Sequence, residues 1–238
     1  ISGPNIVLNT IVAEVLSQFA DQLEGSADFT ADLNTLIKKT IKEHKRIIFN
    51  GNGYDSSWVA EAEKRGLLNL KSTPDALPCF IADKNVALFT KHKIFTAAEM
   101  HSRYEILLDN YCKTLNIEAL TMVDMAKKQI LPAVFTYLKE ISETAAQKKV
   151  LSADIPCELE ESLVRKLSTL SACFYKKTEA LEKALLKTKS FEGDLQKEAD
   201  YYKDAVFAAM QEMRAAADEL ETLLGKDYWP FPSYSDLL

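Results

Sequence analysis

The sequence predicts an all-α fold: a compact helical N-terminal part followed by an antiparallel three-helix coiled bundle with an extended aromatic tail. Three observations carry this expectation. Only 7 Gly and 7 Pro occur in 238 residues, too few for the frequent turns of an all-β domain. Apolar residues recur at steps of three and four through most of the chain. Capping and breaking residues fall where those runs begin and end.

Pro4 suits a first helical turn, where its missing N–H would be unpaired anyway. Leu8, Ile11, Val12, Val15, Leu16, Phe19 and Leu23 follow at helical spacing, and Gly25 ends the run. So wide a stripe predicts a helix packed against a large surface. Asp28 or Thr30 caps a second helix, with Leu33, Ile37, Ile41, His44 and Ile48 on one face, stopped by Asn50-Gly51-Asn52-Gly53. A short third helix from about Ser56 turns Trp58 and Val59 inward, sets Glu61 four residues before Arg65, and ends at Gly66. Leu67 to Pro78 reads as a proline-marked loop, and Asp83 to Lys91 as another short helix.

Thr96 with Glu99 three residues on is a capping box. Helical periodicity then holds for about fifty residues, along Met100, Tyr104, Leu107, Tyr111 and Leu115, then Val123, Ile130, Val134, Tyr137 and Ile141. The phase shifts near Asn116 to Ala119, and Pro132 predicts a kink. The next helix, from about Pro156, buries Leu159, Leu163, Leu167, Leu170, Phe174, Leu181 and Leu185, with Glu161–Arg165 and Glu179–Lys183 on its wet side. The last buries Leu195, Ala199, Tyr202, Val206, Ala209, Met213, Ala216, Leu220 and Leu223, whose alternating steps of four and three are the coiled-coil repeat. Gly225 closes it, and the aromatic tail follows.

Composition narrows the functional classes. Hydrophobic residues make up 47% and charged residues 27%, an ordinary globular balance. The net charge of -6 disfavours phosphate-backbone binding, so no nucleic-acid partner is expected. No apolar run reaches membrane length, and no signal peptide is visible. Cys79, Cys112, Cys157 and Cys173 are scattered, without a CxxC pair or nearby histidines. They are expected to be reduced core residues in a cytoplasmic protein, and no metal site is expected. The opening Ile1-Ser2-Gly3-Pro4, without methionine, suggests a piece of a longer polypeptide.

Four constellations could bear chemistry. Asn50 to Tyr54 could cradle a phosphate, but it lacks the lysine and Ser/Thr of a P-loop. Lys38, Lys39, Lys42, Lys45 and Arg46 form a basic side that reads as a solvated face or a subunit contact. His101 and Glu105, one turn apart, lack the third group of an acid–base site. In Trp229-Pro230-Phe231-Pro232 the spacing is not PxxP, so Trp229 and Phe231, with Tyr228 and Tyr234 beside them, are candidate anchors of a docked tail. No catalytic, cofactor-binding or metal-binding residue is assigned.

In order along the chain, Ser2 to Glu14, Asn50 to Tyr54, Ala62 to Leu67, Thr73 to Pro78 and His101 to Glu105 resemble the C-terminal part of the type III glutamine synthetases. Asn116 to Met122, Lys128 to Ala133 and Tyr228 to Pro232 continue the resemblance to the chain's end. It implies a parent enzyme that joins ammonia to glutamate with ATP and Mg or Mn, through a γ-glutamyl phosphate, in stacked hexameric rings. The partners implied are the chain's own catalytic domain and other copies of itself. The family's metal-binding carboxylates and phosphate-binding arginines would lie upstream of Ile1, and the nucleotidylated Asn-Leu-Tyr loop of some type I enzymes has no counterpart here. Residues 1–95 would be the helical end of the catalytic domain and 96–238 a helical extension. A stand-alone helical scaffold with a coiled-coil surface is the alternative.

Overall fold

The computed structural model describes residues 2–191, 193–232 and 236; Tyr234 lies outside them. Among the described residues the protein is all-α, without a strand. It divides into two compact units, Ile1–Ile106 and Leu107–Leu238.

The first unit opens with α1 (Ser2–Leu23) and α2 (Phe29–His44). Gly25, at φ +78°, makes the left-handed turn that separates them, a conformation that costs glycine nothing. Asp28 caps α2 by accepting from the Ala31 N–H at 3.1 Å. The helices α3 (Ser56–Lys64), α4 (Thr73–Phe80) and α5 (Asp83–Lys91) follow. Asp55 caps α3, and Gly66 ends it at φ +74°. Arg65 Nε meets Glu61 at 2.6 Å, as their spacing predicts, and its guanidinium also donates to the Ile48 carbonyl at 3.0 Å. Phe89 is the buried hub of α5, with the rings of Phe80 and Phe95 packed around it.

Three expectations for this unit change. The stretch read as a loop from Leu67 contains α4: Ser72 caps it, and Pro74 sits in the first turn, where no backbone donor is missed. Pro78 falls inside the helix and removes one ladder bond from a segment only 8 residues long. The buried face of α2 centres on Leu36, while Ile37, Ile41 and Ile48 are exposed. Val59 is exposed as well, beside a half-buried Trp58 stacked on Phe49 at 4.1 Å.

The second unit holds the later part of α6 (Ala97–Met125), then α7 (Leu131–Leu151), α8 (Glu158–Thr188), α9 (Leu195–Tyr201) and α10 (Ala208–Glu221). Thr96 and Glu99 form the predicted capping box at the start of α6: Glu99 accepts from the Thr96 N–H at 2.7 Å, and Thr96 Oγ1 from the Glu99 N–H at 3.2 Å. A π turn, Ala126–Ile130, joins α6 to α7, and a second one, Tyr202–Phe207, joins α9 to α10. The first lies directly before Pro132, which occupies the opening turn of α7. There the chain absorbs the missing N–H by widening its helical winding.

α8 packs against both α7 and α10. Short connections force antiparallel neighbours. The first spans residues 152–157, and Lys148–Glu160 and Lys149–Glu161 ion pairs bridge α7 and α8 beside it. Glu161 therefore reaches across to Lys149. The second runs through a 3-10 turn (Lys189–Phe191) and Gly193 at φ +99° to Asp194, which caps α9.

The buried seams are smaller and more polar than the periodicity suggests. On α6 they run through Leu108, Cys112, Leu115, Ala119 and Val123, with Leu107 exposed. On this line no phase shift occurs at Asn116 to Ala119. On α8, Ser171 and Thr178 join Leu167, Phe174 and Leu181, while Leu159 is exposed. Thr178 Oγ1 donates to the Phe174 carbonyl at 2.9 Å and Ser171 Oγ to Ser168 at 3.1 Å, so neither hydroxyl is left unpaired. Along α9 and α10, Ala199, Tyr202, Val206, Met213, Ala216 and Leu220 are buried as expected. After the π turn, however, the seam passes through Met210 instead of Ala209 and ends on Leu224 instead of Leu223, so the steps do not alternate four and three throughout. Gly225 is not the left-handed cap, since α10 has already ended at Glu221.

Candidate functional site

The C-terminal tail begins where Gly225 turns the chain. The Gly225 carbonyl accepts from the N–H groups of Tyr228 at 2.9 Å and Trp229 at 3.2 Å. A Cβ on Gly225 would stand 3.3 Å from the Tyr228 ring, so the absent side chain lets that ring fold back. Tyr228 packs on Tyr137 of α7 at 4.8 Å between centroids, and its hydroxyl donates to the Glu140 carboxylate. That bond to an anion raises the Tyr228 pKa above the usual tyrosine range. Lys226 pairs with Asp236 further along.

Pro230 and Pro232 exclude helical continuation, and between them the tail places Trp229 against Phe231. The ring centroids are 5.8 Å apart with planes 78° to one another, the edge-to-face arrangement that aromatic quadrupoles favour. Both residues are half-buried and line a cavity of about 370 Å³. Met122, Met125 and Ile130 come to it from one side, Met213 and Ala217 of α10 from the other.

The remaining candidates are dispersed. His101 and Glu105 are both exposed. Asn50 to Tyr54 forms a loop in which Asn52 Oδ1 accepts from the Tyr54 N–H at 3.1 Å, with the Tyr54 ring fully in solvent. Lys38, Lys42, Lys45 and Arg46 line an open groove with Ile41 and Ile48. Cys112 and Cys157 are buried, whereas Cys173 is exposed, contrary to expectation. Burial pushes the Cys112 thiol up to about 12, which makes it an inert packing group.

A cluster not foreseen in the sequence ties α1 to α5. Glu14 receives Lys91 Nζ on one carboxylate oxygen at 2.8 Å and His92 Nε2 on the other at 2.6 Å. Gln18 donates to it at 2.8 Å. Hydrogen bonds from Lys91, then Gln18, then His92 hold the Glu14 carboxyl at about 2, against an ordinary 4.5. Lys91 and His92 lie 77 and 78 residues away, beyond any local spacing rule.

The sign of the linkage follows from this depression. Protons bind the unfolded chain first, so the stabilisation is complete above about 4.5 and disappears as pH falls towards about 2. Glu14→Gln is therefore expected to remove acid-dependent loosening of α1 in that window. Hydrogen exchange of the α1 amides between pH 5 and 2 checks this, and identical pH profiles for the two proteins would refute it.

Among the described residues, no three His, Cys, Asp or Glu side chains stand close enough to hold a metal ion. Among those residues, the divalent metal implied by the resemblance therefore has no fitting ligand set. No helix of the described residues is long and apolar enough to cross a membrane.

Comparison with known proteins bears on the whole chain. Residues 32–149 match the family described as glutamine synthetase C-terminal domain. The chain is 43% identical over 231 residues to a glutamine synthetase of Butyrivibrio fibrisolvens, covering 96% of this chain and 32% of that protein. It is 35% identical over 253 residues to the type-3 glutamine synthetase of Dictyostelium discoideum, covering 100% and 33%. A glutamine synthetase of Bacteroides fragilis (strain YCH46) is 26% identical over 246 residues, covering 98% and 33%. The chain spans about a third of the length of these relatives.

Proposed function

We propose that this chain, which belongs to the glutamine synthetase family, is the C-terminal structural and assembly segment of a type III enzyme that joins ammonia to glutamate at the expense of ATP. Residues 1–95 are then the helical end of the catalytic domain, and 96–238 the extension that follows it. ATP and Mg or Mn act elsewhere in the parent protein. The partners of this segment are its own catalytic domain and other copies, in stacked hexameric rings within the cytoplasm.

One observation carries the structural role. The apolar stripe of α1, with Leu8, Ile11, Val12, Val15 and Leu16, lies exposed, while Thr10 is the helix's buried residue. Leu8 and Leu16 are each 61% exposed. A bare stripe of this width calls for a cover, and relatives three times as long supply the chain for one. The stand-alone scaffold accounts for the coiled-coil seams but not for similarity along the full chain to parts of much longer enzymes.

The isolated chain is expected to show no γ-glutamyl transfer and to self-associate through α1. In sedimentation velocity at high concentration, Leu8→Glu with Leu16→Glu should convert oligomer to monomer. Measurable transferase activity would overturn the non-catalytic assignment. A strictly monomeric isolated chain at high concentration would overturn the reading of α1 as a bare stripe that calls for a cover.

A further inference from the structure

We propose that the cavity under the C-terminal tail is a binding site for a small organic cation with an apolar body. Its volume of about 370 Å³ lies at the lower end of the range for small-molecule sites. That is room for a single ring or a quaternary ammonium group. The floor is soft: Met122, Met125 and Met213 offer flexible thioethers that adapt to a guest's shape. The walls include the Trp229 and Phe231 rings, which meet edge to face at 78°, and an aromatic face left open to a guest attracts positive charge.

The rim decides the charge of the guest. Arg214, Asp218 and Glu221 stand there, and Arg214 Nε is already matched by Asp218 at 3.5 Å. Glu221 then leaves the mouth net negative. An anion would meet that carboxylate and the negative faces of two rings, a neutral guest would gain only the apolar contacts, and a cation gains both. Both rings remain partly exposed at the mouth, so a guest has a way in. The site lies in the second unit and is independent of the assembly role.

The methionines provide the test. The chain has 5, and three of them line the cavity while Met100 and Met210 do not. With methyl-labelled methionine, phenyltrimethylammonium should shift Met122, Met125 and Met213 saturably and leave the other two still. Benzyl alcohol should bind about threefold to tenfold more weakly, the gain expected from a cation over aromatic faces, and benzoate should not bind. Glu221→Gln, at an exposed position, should reduce the preference for the cation to what the ring faces alone supply while keeping the benzyl alcohol response. Ala217→Phe should fill the cavity and abolish all three shifts. Uniform shifts of all five methyls, no shifts at all, benzoate binding as tightly as the cation, or an unchanged preference in Glu221→Gln would each overturn the proposal.

Discussion

Phe174→Ala is expected to destabilise the second unit by about 3–5 kcal/mol, the range for removing a fully buried phenylalanine. Phe174 is 0% exposed and lies on α8, the helix that packs against both α7 and α10. Its loss leaves a void that neither neighbour can close without breaking its own seam, and the Phe174 carbonyl also receives the Thr178 hydroxyl. At roughly 2–4 °C per kcal/mol for a chain of this size, the melting temperature should fall by about 10 °C. Leu159→Ala supplies the contrast. The periodicity places Leu159 on the same stripe, but it is 69% exposed, and its truncation should stay within about 0.5 kcal/mol. Paired calorimetric melts decide this; equal shifts for the two variants would mean that α8 packs on a different face.

Trp229→Ala should lower the melting temperature of the chain, or break up the parent oligomer, with the second largest effect. The ring is half-buried, so the cost falls below that of a fully buried tryptophan, at roughly 2 kcal/mol. Two losses add up: the edge-to-face contact with Phe231, and the apolar cover over Met122 and Met213. Trp229→Phe should recover most of the stability, since it retains an aromatic wall. Tryptophan fluorescence provides the second readout, with Trp58→Phe isolating the signal. A fully solvated emission together with an unaltered melting temperature would show that the tail is loose and that Trp229 and Phe231 anchor nothing.

The contrast between Leu159 and Phe174 shows where reading from sequence stops. Helix ends were legible wherever the responsible atoms lie within three or four residues of one another. Asp28 caps the helix that follows, Thr96 and Glu99 close a reciprocal box, and Gly25 and Gly66 adopt the positive φ that ends a helix. α4 escaped notice because Pro74 and Pro78 resemble loop residues. Pro74 acts as a helix opener once Ser72 caps the turn.

The tail was legible only in part. Two prolines and two large aromatics predict an extended segment that needs cover, but the partners of that cover come from helices about 10 to 110 residues away. The same distance hid the Glu14 cluster, whose depressed pKa depends on α5 folding against α1.

By itself, the sequence determined the all-α class and most of the helices and their ends, because backbone hydrogen bonds and caps are satisfied locally. Only the tertiary structure decided which face of each helix is buried. Large apolar residues such as Leu107, Leu159, Ile37 and Ile41 dominate a periodicity count, but they stand exposed. The seams between close helices are built on Cys112, Ala119, Ser171, Thr178 and Ala216, small side chains that let backbones approach and whose hydroxyls bond to their own helix. The size of a residue sets how much apolar area it offers; the neighbour that arrives decides whether that area is covered.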